Sequence, residues 1–302
     1  MPPGEGYLEV HVGRKRAGGD EFRRFMPLKM TFDTRSMLLK TEISEDWEPH
    51  IQDQWRVNRG HVIEGILHEH GVADYSQKVQ STADLGPAPW SVVARHNLYL
   101  GQIRKSFVSG SYYPALLGAC GLGERILNQL LLTLRDDFVE HPATKRIATK
   151  GSVDDWKVAA KTLLAWKVID KDCNSRFESL RKLRNDAIHY RSGLDDTDAR
   201  SEALIAIQRL QEVIETIFAP HGVAEHFISR ESGRSFIAIE AESLPLLKHF
   251  FLPSCVLVSP AYRLVGDPIS GEFVAFDVQE WSGERQLSDA DFVSELARNG
   301  SA

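Results

Sequence analysis

Apolar positions recur every three or four residues along much of this chain, the spacing that turns one face of a helix toward a core. The rhythm predicts helices over about 91–108, 112–138, 153–168, 171–191 and 197–218, with an earlier one over 46–70 that stops at Gly71. Ala219-Pro220-His221-Gly222 closes the series. Residues 7–40 follow another rhythm. YLEVHV alternates, GRKRAGGDE reads as a turn, and FMPLKMTF and SMLLKT follow, so this stretch is expected to be β-rich. Beyond residue 226, FIAI and CVLV read as strands with SLPLLKHFF as a short helix between them. AYRLV and EFVAFDVQEW flank a hairpin loop at Gly266-Asp267-Pro268-Ile269-Ser270-Gly271. Ser288, with Asp291 three residues on, reads as a cap for DFVSELARN.

The expected fold class is therefore mainly α: a helical bundle flanked by a β-containing N-terminal region and a small α+β C-terminal module. Gly86-Pro87-Ala88-Pro89 marks a boundary. It divides residues 1–88, a β-containing region with one long helix, from a bundle over 89–222. The α+β module then occupies 223–302.

Composition narrows the class. Of 302 residues, 42% are hydrophobic and 26% charged, enough apolar content for real cores. Cys120, Cys173 and Cys255 are odd in number, far apart and without a CxxC pair, which favours a reducing compartment over a disulfide framework or zinc site. The N-terminus lacks an apolar run behind a basic start, and no stretch approaches the roughly 20 apolar residues of a membrane span, so a cytoplasmic protein is expected. A net charge of −6 argues against nonspecific coating of nucleic acid, and no DNA partner is implied. Distribution says more than the total. Residues 171–191 carry six basic groups against three acidic ones, whereas 195–218 carry six acidic groups against Arg200 and Arg209. A locally basic helix suits transient engagement of RNA, although charged helix faces are also common without any ligand.

Within that basic helix lies Arg184-Asn185-Asp186-Ala187-Ile188-His189. Spacing alone does not single it out, because Arg56…His61 repeats it and Arg135-Asp136…His141 comes within one residue of it, with a polar residue after the arginine. Context does. Phe177, Leu180, Leu183, Ala187 and Tyr190 form an apolar stripe, and on a continuous helix Asn185 and His189 share the opposite face with Arg184 on its shoulder. Arg135 and His141 straddle a helix end before Pro142. Arg56…His61 contains Gly60 and lacks a polar residue after the arginine.

An Arg followed by a polar amide, with His four residues further on, resembles the Arg-x4–6-His signature of the HEPN superfamily. Those are small helical domains, many of them metal-independent ribonucleases. The flanks are similar too: YYPALLGACGLGERILNQLLLTLRDDF, carrying Glu124, precedes the motif. A long helix beginning near the capping types Asp195, Asp196 and Thr197 follows it. The resemblance covers roughly residues 90–220. It implies a HEPN-like bundle and an endoribonuclease that dimerises so that two motifs meet in one composite cleft. It also implies roles in toxin–antitoxin or antiviral defence systems, with an antitoxin or other regulatory protein as a further partner. Some members of the superfamily are non-catalytic dimerisation or interaction modules, and that alternative stands beside the enzyme.

The residue types suit the chemistry. RNA brings its own nucleophile, the 2′-hydroxyl, and cleavage needs a base for its proton, an acid for the leaving 5′-oxygen and positive charge at the phosphoryl group. His189 supplies proton transfer near neutral pH. Arg184 offers a planar fork of donors to phosphate oxygens. Asn185 is placed to orient the imidazole or hold a phosphate oxygen. Glu124 braces the motif or touches substrate, and Arg181 and Arg191 line an RNA path or are solvated. A single histidine serves poorly as both base and acid, so a homodimer is expected. Neither metal nor cofactor is called for. His61, Glu64 and His68 share a helix face with His70 nearby. Yet three side chains on one helix do not complete a tetrahedral metal site, so a solvated face is the simpler reading. Gly118-Ala119-Cys120-Gly121-Leu122-Gly123 lies inside an apolar helix, where small residues permit close packing rather than cradling phosphate.

Overall fold

A helix that is apolar on most of its circumference has to be surrounded, and the helix over Tyr112–Leu134 is the centre around which others assemble. The structure is a computed structural model and describes residues 6–28, 33–189, 198–266 and 273–300. Its elements in chain order are β1 (Tyr7–Val10), β2 (Arg24–Pro27), α1 (Arg35–Lys40), α2 (Pro49–His70), α3 (Tyr75–Leu85), α4 (Ala94–Val108), α5 (Tyr112–Leu134), α6 (Trp156–Ala165), α7 (Lys171–Ile188) and α8 (Ala199–Phe218). β3 (Cys255–Val258), β4 (Arg263–Gly266), β5 (Phe273–Val278) and α9 (Asp289–Gly300) complete the chain. It is mainly helical with small antiparallel sheets and divides into two units, residues 31–215 and a second made of 1–30 with 216–302.

In the helical unit, α5 packs against α4, α6 and α7. Its buried residues Leu116, Ala119, Cys120, Leu122, Ile126, Leu127, Leu130, Leu131 and Leu134 fill the core. Burying each large aliphatic chain contributes about 1.5–3 kcal/mol. The surrounding helices start where side chains can satisfy their first N–H groups. Asp155 accepts from the N–H of Lys157 and Val158, Asp170 from that of Cys173, and Asp198 from that of Arg200. The expected capping residues Asp195, Asp196 and Thr197 lie outside the described residues. α8 buries Ala203, Ala206, Ile207, Leu210, Val213 and Ile214 at helical spacing. Polar ties hold it in place: Gln211 donates to Leu85 O at 2.8 Å, and Arg200 to Asp84 at 2.7 Å.

The second unit joins the two ends of the chain. β1 pairs antiparallel with β5, Tyr7 opposite Val278, and β5 pairs with β4. β2 pairs antiparallel with β3, Arg24 opposite Val258. A core of Phe22, Met26, Phe236, Val256, Val258 and Phe292 lies beneath them. Buried charges are compensated in place. Arg23 pairs with Asp277, which also accepts from Ser259, and fully buried Arg24 donates to Asp289 at 2.6 Å and to Leu287 O at 2.7 Å.

Several expectations change here. The N-terminal strands do not form a module with residues 31–88; they complete the C-terminal sheets, and the α2 region groups with the bundle, so residue 88 does not separate the two units. SMLLKT is not a strand, because its first five residues belong to the short helix α1. FIAI forms only a single bridge, Phe227 opposite Ile237, before a 3-10 turn over Ile239–Ser243. Gly60 does not interrupt α2, which runs unbroken from Pro49 to His70. The cap at α9 is present: the Asp291 N–H donates to Ser288 Oγ at 3.1 Å.

His96 on α4 is fully buried between Ser91 Oγ, 3.1 Å from Nδ1, and Gln129 Oε1, 3.4 Å from Nε2. Burial, with the Arg125 charge adding to it against the Gln129 hydrogen bond, lowers its pKa to about 4. The unfolded chain therefore takes up a proton near pH 6.5 that the folded chain refuses until about pH 4. The stability that neutral His96 confers is fully present above pH 6.5 and lost as pH falls toward 4. We expect acidification from pH 7 to 4.5 to cost about 2–3 kcal/mol through this residue. In urea titrations at the two pH values, His96→Gln should lose that much less than the wild type; equal losses would reject the assignment.

Candidate functional site

The motif end of α7 is held against α5 by one close approach. Gly123 has no side chain, and a Cβ there would stand 3.1 Å from Leu180 Cδ1 and 3.5 Å from the Trp156 ring. One turn earlier on α5, the Cys120 thiol donates to Leu180 O at 3.5 Å. α5, α6 and α7 thus meet at Gly123, against Leu180, which is wholly buried. Four residues along α7 from Leu180 comes Arg184; one residue along α5 from Gly123 comes Glu124. Their side chains meet, Arg184 Nε lying 3.4 Å from Glu124 Oε2, with 34% and 29% of each exposed. An ion pair this open contributes at most about 1 kcal/mol to stability. Its effect is to bias the direction of a guanidinium on a side chain that is about one-third exposed.

The apolar stripe of α7 is as expected in its first turns. Phe177 and Leu180 are buried, Leu183 and Ala187 half-buried, and Tyr190 lies outside the described residues. The far end differs. The helix stops at Ile188, and His189 is its C-cap with extended backbone (φ −97°, ψ 113°), its N–H bonded to Asn185 O at 3.0 Å. The imidazole therefore does not stand one turn above Asn185 on a shared helix face. It is exposed just past the helix end, while Asn185 is half-buried within the last turn. Residue 189 can aim its ring independently of the helix axis, which a helical residue could not do.

Arg181 donates to Glu178 at 2.9 Å along its own helix, so its charge is locally compensated. Arg191 lies outside the described residues. The structure thus brings together Arg184 and Glu124, with Asn185 and His189 in the following turn and cap. Cys120, one turn before Glu124, is no candidate nucleophile: desolvation pushes its thiol up to about 12, and the Glu124 charge adds to the effect against that of Arg184. Among the accidental copies, Arg56 pairs with Asp53 and donates to Gln52, and Arg135 caps the end of α5. His141 Nδ1 accepts from the Ala143 N–H in a separate turn. His61, Glu64 and His68 are exposed on α2 opposite buried Ile66, and no group of three His, Cys, Asp or Glu among the described residues is placed to hold a metal ion. No described helix is long and apolar enough to cross a membrane.

What residue patterns did not reveal is the support. Gly123 was visible only as a small residue in an apolar helix, and its partners Leu180 and Trp156 are 57 and 33 residues away in the numbering. Comparison of the chain with family models, curated proteins and solved structures gives no match.

Two glycines separate packing from conformation. Gly123→Val should reduce the unfolding free energy by about 1–3 kcal/mol, because Leu180 and Trp156 have to give way. Gly60→Ala, where nothing lies within 4 Å of a new Cβ, should instead add up to about 1 kcal/mol through helix propensity. Urea midpoints of the two variants measure both; a Gly123→Val midpoint equal to wild type would remove the proposed support for α7.

Proposed function

We propose that the protein is a metal-independent endoribonuclease in which two copies join their α7 ends into one composite site. The observation that carries this reading is the pairing, within six residues, of a braced but accessible guanidinium on Arg184 with an exposed imidazole on His189. In this scheme Arg184 contacts a non-bridging phosphate oxygen and offsets the negative charge that builds on the phosphoryl group. Neutral His189 of one copy accepts the 2′-hydroxyl proton as that oxygen bonds to phosphorus. The protonated histidine of the second copy gives its proton to the 5′-oxygen as the P–O5′ bond breaks. The products are a 2′,3′-cyclic phosphate and a 5′-hydroxyl, and proton exchange with water restores both rings. Asn185 steadies substrate or imidazole, and Glu124 acts through Arg184, as a positioning residue. The HEPN resemblance supports the same assignment and extends it to a toxin or antiviral effector. The unit built from the chain ends would then restrain the nuclease or receive an antitoxin or regulatory protein.

The non-catalytic interaction module remains the second reading, favoured by one observation: Glu124 already neutralises Arg184. Activity separates the two. Purified protein with a labelled single-stranded RNA should release fragments ending in cyclic phosphate, unchanged by a chelator. His189→Ala and Arg184→Ala should each slow cleavage by about 10²-fold or more, the usual scale for a proton-transfer group, with circular dichroism unaltered. Full cleavage by the double variant, or a requirement for added divalent metal, would exclude the proposal.

A further inference from the structure

The face of α5 next to this site carries a groove of about 320 Å³, shared with α4 and lined by Tyr99, Gln102, Ile103, Gly118, Gly121 and Arg125 among others. The two glycines that open it differ in kind. A Cβ at Gly118 would stand 2.9 Å from Ile103 Cγ1, so the contact between α4 and α5 requires that glycine. At Gly121, exposed in the middle of a 23-residue helix, nothing lies within 4 Å. Glycine destabilises a helix interior relative to alanine, and nothing among the described residues calls for it here. What an exposed glycine does provide is a bare stretch of backbone that a ligand can approach closely.

Arg125 on the groove wall, and Arg95 just outside its lining, give this face a positive charge. The guanidinium carbons of Arg95 and Arg125 lie 5.8 and 5.9 Å from the centroid of the same Tyr99 ring. Both arginines are exposed, and among the described residues neither has an ion-pair partner. None of the groove's lining residues is acidic. In a chain of net charge −6, two cations with no ion-pair partner among the described residues, beside an aromatic ring, form a local patch suited to a polyanion with flat bases. A second copy of the same face would bring four guanidinium groups together and is disfavoured by their repulsion. Arg125 directly follows Glu124, the carboxylate that holds Arg184, and lies about 100° around α5 from it.

We infer that this α4–α5 groove is a binding site for single-stranded RNA, with Arg95 and Arg125 on backbone phosphates and a base or ribose against Tyr99 beside the bare backbone of Gly121. The choice of RNA rests on the ribonuclease reading, for which the groove would hold the strand next to the cleavage site. Arginine on phosphate with aromatic stacking on a base is the combination that binds single strands without demanding a sequence.

The test is fluorescence anisotropy of a labelled single-stranded RNA 12-mer with the full chain in a His189→Ala background, which keeps the RNA intact. Tyr99→Ala and Gly121→Leu should each weaken binding about tenfold, the range expected for one stacked base, while Tyr99→Phe retains it. Arg95→Ala with Arg125→Ala should lower the slope of log affinity against log salt by roughly 1–2. Gly121→Leu is the control for folding, since its side chain enters open space and improves helix propensity. Unchanged affinity across these variants overturns the groove but leaves the nuclease untouched. Tyr99-dependent binding without His189-dependent cleavage overturns the nuclease and keeps the groove. A wild-type dimer that Gly121→Leu converts to monomer in sedimentation velocity, with RNA affinity unaltered, would make this face a protein interface and overturn the proposal.

Discussion

A helix as apolar as α5 cannot leave its broad face in water, and enclosing it determines where everything else in the bundle unit can go. α4, α6 and α7 each take part of its circumference. How closely they approach depends on where α5 has no side chain. Gly118 admits Ile103 of α4, and Gly123 admits Leu180 of α7 and Trp156 of α6. Close-packed interiors transmit such constraints with little slack. Glu124, next to Gly123, is thereby brought to Arg184 without any contribution from the polar residues themselves. The ion pair is weak in energy and well defined in place, because its position is inherited from buried contacts.

The second unit solves a different problem. Its sheets are too small to bury much surface, and it gathers strands from both ends of the chain to cover one core. Arg23 and Arg24, adjacent on and beside β2, point charge into that core and would be prohibitively costly alone. Asp277 on β5 and Asp289 at the start of α9 answer them. Each pair links an N-terminal residue to one more than 250 positions later, so charge compensation here also specifies which strands come together.

This contrast explains what residue patterns could and could not reveal. The helices over 94–108, 112–134 and 171–188 were legible because their apolar repeat is local, and a window of a few turns contains the whole signal. The pairing of Tyr7 with Val278 leaves no such trace: two short alternating runs look alike whichever partner they take. SMLLKT was ambiguous by its nature, since six residues hold too few turns to separate period two from period 3.6. In the site, Arg184, Asn185 and His189 were visible as residue types, and Glu124 as a neighbour of uncertain role. The end of α7 at Ile188 was not visible, because no proline or glycine stands there to mark it, and the apolar stripe continues through Ala187.

That misplaced boundary bears directly on chemistry. A histidine inside a helix is tied to its neighbours at fixed angles and can reach a proton only along the face where it sits. A histidine in the cap, with extended backbone and an exposed ring, can rotate away from the helix axis while its own N–H remains bonded to Asn185. Arg184, earlier on the helix, has its Nε 3.4 Å from Glu124 Oε2, a contact that biases its direction while about a third of the side chain stays exposed. Under the proposed reading, a cation oriented by a carboxylate and an imidazole set just past the helix end would divide the charge and proton-transfer roles of cleavage through the 2′-hydroxyl. Under that reading, the feature to examine in a bound state is the direction of the His189 ring, which the helix does not set.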